Sequence, residues 1–248
     1  MTRAGGCRER AETGDRAWAD ERAGRLAGVR PLAVPAGSAT GVLEERGPIE
    51  PGPRLARGLV TTVYRARLDG RPAALKVFRP RSVARHADRS ELDIAEFEYR
   101  RNLAFHLVPG LTRYIAEPLG FISLPGVSAV VQELLAGESY YAATRRRGSP
   151  PPGVFPHIER IVERAHAAGL YDLDLHALNV LVVEDGGEEI PRLFDFNRIP
   201  FHEWPRNPLE SLALALDILD RGSRDRRKLR QFHDFDRLDD RIADGGTP

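Results

Sequence analysis

Two β-rich runs, 60–67 and 71–78, are separated by Asp69-Gly70, and this pair constrains the fold more than any other feature. Asp-Gly supplies the positive φ angles of a two-residue hairpin turn, so the two runs pair as antiparallel strands. The second run contains Ala73-Ala74-Leu75-Lys76-Val77-Phe78, apolar apart from one ammonium. Burying that charge is costly unless a partner meets it. The chain has 37 basic residues, of which only Lys76 and Lys228 are lysine. In a chain that otherwise uses arginine, a lysine inside an apolar strand marks a place where chemistry needs an ammonium. Lys228, within Arg226-Arg227-Lys228-Leu229-Arg230, reads as one charge on a solvated helix.

The remaining pattern is mixed. A helix is expected over 89–106, strands near 117–123 and 127–134, and a Pro-rich linker over 149–153. Beyond it come a helix over about 155–168, short strands at 179–184 and 191–195 around Asp185-Gly186-Gly187, and a helix from Asn207-Pro208 to about Asp220. A charged helical tail follows. Residues 1–50 have weak periodicity and scattered prolines, and read as a disordered or weakly structured extension with at most a short helix at 16–28.

Composition excludes several function classes. A net charge of +1 gives no global field to draw nucleic acid or an anionic membrane. The one cysteine, Cys7, permits neither an internal disulfide nor a cysteine zinc cluster. The most apolar stretch, 119–137, is broken by Pro125, Gln132 and Glu133, so no membrane span is expected. The N-terminal residues lack an apolar signal core, and a cytoplasmic protein is the expectation.

Two polar clusters besides Lys76 stand among apolar residues: Leu173-Asp174-Leu175-His176-Ala177-Leu178-Asn179, followed by Val180-Leu181-Val182-Val183, and Leu193-Phe194-Asp195-Phe196-Asn197. The expected hairpin returns Asp195 toward the start of the strand where Asn179 sits. An amide oxygen and a carboxylate can then share one hard cation, as Mg²⁺ is held by one or two protein oxygens with phosphate oxygens and water. Asp174 can stand on the preceding loop and accept a proton from a hydroxyl. Metal clamp, base and lysine are the parts that phosphoryl transfer requires.

On these residues the sequence resembles the protein kinase-like superfamily. The run from Ala165 to Leu181 is similar to the catalytic-loop signature and keeps its interval from Asp174 to Asn179. Asp195-Phe196-Asn197 is similar to the metal-binding Asp-Phe-Gly triplet, and Ala73-Ala74-Leu75-Lys76 to the Val-Ala-Ile-Lys strand. The segment from Ala56 to Tyr64 fits the phosphate loop with only Gly58 of its three glycines, and Val130 to Gly137 resembles the hinge. More loosely, the short chain resembles small bacterial kinase-like proteins of the YrbL (PhoP regulatory network) type.

The resemblance implies an α+β, two-lobed kinase-like fold, with a β-rich N-lobe over 51–136 and a reduced, mostly helical C-lobe over 137–248. It implies ATP and Mg as cofactors and a hydroxyl acceptor, on a protein Ser or Thr or on a small molecule. Lys76 would orient the α/β-phosphates with Glu96 as its partner, in competition with Glu98 and Glu91. Gly58, Val63, Ala74 and Leu181 would meet the nucleotide, as would the Glu133 carbonyl and the Leu135 amide. Asn179 and Asp195 would hold the metal, and Asp174 would act as base. Asp172 and Leu173 replace the family's histidine and arginine, so nothing at that position grips a phosphorylated activation loop. A pseudokinase or nucleotide-sensing scaffold is the alternative, and an Asp172-x-Asp174 phosphohydrolase a weaker one. His176 reads as structural, Arg145-Arg146-Arg147 as a solvated helix end, and Trp204 as packing the lower lobe.

Overall fold

The Asp69-Gly70 turn forms, with φ angles of 52° and 76°, and the strands it joins pair from Leu68 with Arg71 to Thr61 with Phe78. The computed structural model describes residues 18–35, 42–203, 207–216 and 218–233. They divide into two units. The first holds the described residues up to Tyr99 and Pro118–Leu134; the second holds Arg100–Glu117 and the described residues from Leu135 onward. This division differs from the expected boundaries at 51 and 136. The first unit also takes in described residues before 51, and 100–117, which include the C-terminal half of one helix, belong to the second.

The first unit begins with a helix at 18–25, α1. Strands β1 (Leu32–Ala33), β2 (Glu44–Glu45), β3 (Ile49–Arg57), β4 (Thr61–Leu68) and β5 (Arg71–Phe78) follow, then helices α2 (Pro80–Ala87) and α3 (Ile94–His106). Strands β6 (Pro118–Leu124) and β7 (Val127–Glu133) complete a seven-stranded sheet in the order β2-β1-β6-β7-β5-β4-β3. All its pairings are antiparallel. Side chains alternate along β5. Ala73, Leu75 and Val77 join a core with Tyr64 and Ala66 of β4, Val127, Ala129 and Val131 of β7, and Ala19, Ala23 and Leu26 in and just after α1. Ala74, Lys76 and Phe78 therefore point to the opposite face, where Val63 stands directly across from Lys76.

Two expectations for the N-terminal region are corrected among its described residues. Residues 18–35 are built into the first unit: Leu26 is fully buried, the Tyr64 hydroxyl donates to Asp20 Oδ1 at 2.9 Å, and Leu32 pairs with Phe121. Weak periodicity concealed this, because α1 and its end meet the core chiefly through two alanines and one leucine. The prolines at 51 and 53 do not exclude structure either, since they lie in β3, an edge strand with register shifts between Pro51 and Arg54. An edge strand tolerates residues that cannot donate to a ladder. Cys7 and Trp204 lie outside the described residues.

The second unit contains β8 (Glu138–Ser139), α4 (Tyr140–Arg147), α5 (Val154–Ala167), β9 (Val180–Asp185), β10 (Glu188–Leu193), α6 (Pro208–Ala215) and α7 (Ser223–His233). Its three strands run in the order β10-β9-β8. Gly137 admits β8 to this sheet, because a Cβ there would stand 2.4 Å from the Val182 carbonyl oxygen. Phe105, Tyr140, Ile158, Ile161, Leu173 and Phe196 are among the buried residues of its core. A β-rich unit and a mostly helical one give the expected α+β class. Among the described residues no helix is long and apolar enough to cross a membrane.

Because Leu26 is buried in the first unit's core, Leu26→Ala should destabilise that unit by about 2–5 kcal/mol through lost burial and a cavity. Denaturant unfolding followed by tryptophan fluorescence checks this, and an unchanged midpoint would detach α1 from the core.

Candidate functional site

Lys76 is 2% exposed, and its ammonium is paired with Glu98, which is fully buried. Sequence spacing points to Glu96 as the partner, and that assignment is corrected. Positions 96 and 98 differ by about 200° around a helix of 3.6 residues per turn. Glu98 falls on the buried side of α3 with Ala95 and Asn102, whereas Glu96 is half-exposed and Glu91 is exposed ahead of the helix. Counting residues along the chain cannot separate the three; the burial phase of α3 does. A buried ion pair gives little net stability over an apolar replacement, but removal of one partner costs about 3–5 kcal/mol.

The other expected residues of the first unit are placed as follows. Val63 is half-buried and Ala74 buried, on the sheet face that carries Lys76. Gly58 is exposed in the β3–β4 connection, its N–H donating to the Thr61 carbonyl at 2.8 Å. Glu133 closes β7 opposite Ala73. Leu135 is the first residue of the second unit's later segment, and Leu181 lies on β9 opposite Arg192.

In the second unit the hairpin forms as the spacing predicts. Val180 pairs with Leu193, so Asn179 and Asp195 leave the same end of the β9–β10 ladder. Asn179 Nδ2 donates to the Asp174 carbonyl oxygen at 3.2 Å and to Asp174 Oδ2 at 3.3 Å. That orientation leaves the Asn179 amide oxygen as its acceptor group. Asp195 Oδ1 accepts from Asn197 Nδ2 at 2.7 Å. One amide and one carboxylate oxygen are hard donors that suit Mg²⁺. Among the described residues no cluster of three or more His, Cys, Asp or Glu side chains forms a metal site.

The loop presenting Asp174 is strained and held from several sides. Asp172 and Asp174 have φ of 58° and 50°, a region that costs residues with a side chain about 1–3 kcal/mol and persists only where surroundings enforce it. Asp225, from α7 and 2% exposed, accepts the Asp172 N–H at 2.8 Å and the Leu173 N–H at 3.0 Å, and His166 Nε2 lies 2.9 Å from it. Arg101 donates to the carbonyls of Tyr171 and Asp172. The Asp172 carboxylate accepts the Phe201 N–H at 2.8 Å and lies 3.5 Å from Arg224. Asp172 is thus a buried anchor, which speaks against its use as a phosphohydrolase nucleophile. Asp174 Oδ1 faces Arg198 at 2.9 Å.

His176 is half-buried and its Nδ1 accepts the Leu178 N–H at 3.2 Å, a structural role. Burial, with Lys228 nearby, pushes its pKa down, and Asp174 opposes the shift. The arginine run closes α4 ahead of Gly148; Arg146 pairs with Glu138 and Arg147 with Glu189, as expected of a helix end. Sequence reasoning missed Asp225, Arg101 and Arg198. Asp225 and Arg101 act through backbone atoms far along the chain and belong to no short motif. Arg198 had a signal in its position directly after Asp195-Phe196-Asn197.

No family model matches the chain, and no curated protein matches it. Among solved structures it is similar to the crystal structure of Rad53 1-466 in complex with AMP-PNP, at 19% identity and a TM-score of 0.48. The match covers 58% of this chain and 37% of that one.

Asp225→Asn removes the charge that two buried backbone N–H groups share, and hydrogen bonds to charged groups contribute about 1.5–3 kcal/mol each. Losses of that size should accelerate amide exchange at Asp172 and Leu173 roughly tenfold or more relative to wild type. Unchanged protection would show that the loop is held without Asp225.

Proposed function

We propose that this chain is an ATP- and Mg-dependent phosphotransferase that moves the γ-phosphoryl group to a hydroxyl, on a protein Ser or Thr or on a small molecule, in the cytoplasm. The observation that carries this reading is the buried Lys76–Glu98 pair. A buried ion pair is poorly explained by stability, and here it uses one of the chain's two lysines. The reading extends to the small bacterial kinase-like proteins of the YrbL type, supported by Glu96-Phe97-Glu98-Tyr99 on α3.

In this reading Lys76 binds the α/β-phosphates and Glu98 fixes its ammonium, the role expected of Glu96. Gly58, Val63, Ala74, Glu133, Leu135 and Leu181 serve the nucleotide. Asn179 and Asp195 would hold Mg²⁺, which when bound offsets charge on the phosphate oxygens. Asp174 orients the acceptor hydroxyl and takes its proton as the oxygen bonds to the γ-phosphorus. The bond from that phosphorus to the bridging oxygen breaks, and ADP leaves with the electron pair. The enforced backbone at 172–174 supports this role, because a base is effective only when held within hydrogen-bond reach.

ATP with Mg²⁺ should raise the melting temperature by binding the native state, and label should pass from γ-labelled ATP to an acceptor or to the chain itself. Asp174→Asn should lower turnover by about 10²–10⁴ and leave the ATP-induced stabilisation in place. A melting temperature indifferent to ATP would remove the nucleotide reading. Stabilisation with no label transfer by wild type would leave a nucleotide-sensing scaffold.

A further inference from the structure

Beside Asp174 lies an open cavity whose walls carry four cations, Arg198, Arg224, Arg227 and Lys228. Three of them share one face of α7, at i, i+3 and i+4. Like charges so placed repel and weaken a helix, so helix stability does not account for them. Arg226, between them in sequence, pairs with Asp220. The carboxylates in the same wall are already engaged: Asp225 by the N–H groups of Asp172 and Leu173, Asp172 by Phe201 N–H and Arg224, and Asp174 by Arg198 and Asn179. Three carboxylates and four cations line the wall.

We propose that this cavity binds an oxyanion, phosphate or carboxylate, carried by a small acceptor whose hydroxyl meets Asp174. The proposal rests on the phosphotransferase reading and names its substrate class: a hydroxyl compound already bearing an anionic group. Guanidinium forks fit the paired oxygens of either anion, and a lysine adds a mobile point charge.

The test is calorimetric titration of the full chain with inorganic phosphate and, separately, with acetate. Each is run with and without a saturating non-hydrolysable ATP analogue and Mg²⁺, on wild type and on the double variant Arg227→Gln, Lys228→Gln. Circular dichroism verifies that the variant is folded; neither residue is fully buried. Inorganic phosphate or acetate should bind wild type, the stronger of the two naming the anion. Binding should persist beside the analogue and weaken roughly tenfold or more in the variant, since removing one charge-assisted hydrogen bond is enough for a factor of that order. Absence of binding by either ion, binding unchanged in the variant, or binding abolished by the analogue would overturn the proposal. The last result would assign the cations to the nucleotide's own phosphate. Failure of the analogue to bind at all would instead strike the phosphotransferase reading, while ion binding lost in the variant would still establish the oxyanion cavity.

Discussion

The conformation of the 171–174 loop depends on the buried carboxylate of Asp225. Its two oxygens accept the N–H groups of two consecutive residues, Asp172 and Leu173, and one of them also lies against His166. Without such an acceptor these donors would be buried and unsatisfied, and the positive φ angles at Asp172 and Asp174 would have no enforcing interaction on this side. Arg101 meets the carbonyls of the same loop, so donors and acceptors of one short stretch are both satisfied by side chains distant in sequence. The strain at Asp174 is therefore maintained by the unit's polar interior, and the carboxylate is delivered in one orientation toward Asn179 and Arg198.

The same interior accounts for the two residues that precede Asp174. Leu173 is 1% exposed, packed in the second unit's apolar core. Asp172 fastens the 201 backbone through its carboxylate. Both residues thus stabilise the loop internally. The first unit follows a parallel rule, in which a fully buried carboxylate, Glu98, meets a group that the apolar sheet face could not otherwise tolerate.

Much of this is legible in the sequence where the signal is local. Asp69-Gly70 forms its hairpin, Asp185-Gly186-Gly187 turns the chain between β9 and β10, and the five-residue interval from Asp174 to Asn179 becomes a hydrogen bond between them. Position-specific detail fails where it depends on packing. The choice between Glu96 and Glu98 turns on which side of α3 is buried, and the moderate apolarity of both faces of that helix hides its phase. Residues 18–35 read as weakly structured because a docked helix and a two-residue strand leave little periodicity, although Leu26 and Ala33 are buried. α2 lies outside the expected elements although Pro80 stands at its start, a position that favours proline. α6 ends at Ala215 rather than near Asp220, and none of its residues is buried to prolong the apolar pattern.

The central claim is that Lys76 serves a bound nucleotide's phosphates. With only two lysines in the chain, Lys76 and Lys228, an acyl-phosphate derivative of ATP offers a direct measurement, because it transfers its acyl group to an amine held beside the phosphates. Peptide mass spectrometry after brief exposure should find Lys76 acylated, with the labelling suppressed by excess ATP and Mg²⁺ and lost when Glu98→Gln releases the ammonium from its partner. Labelling of Lys76 that excess ATP does not suppress, or none at all while Lys228 is acylated, would contradict the account.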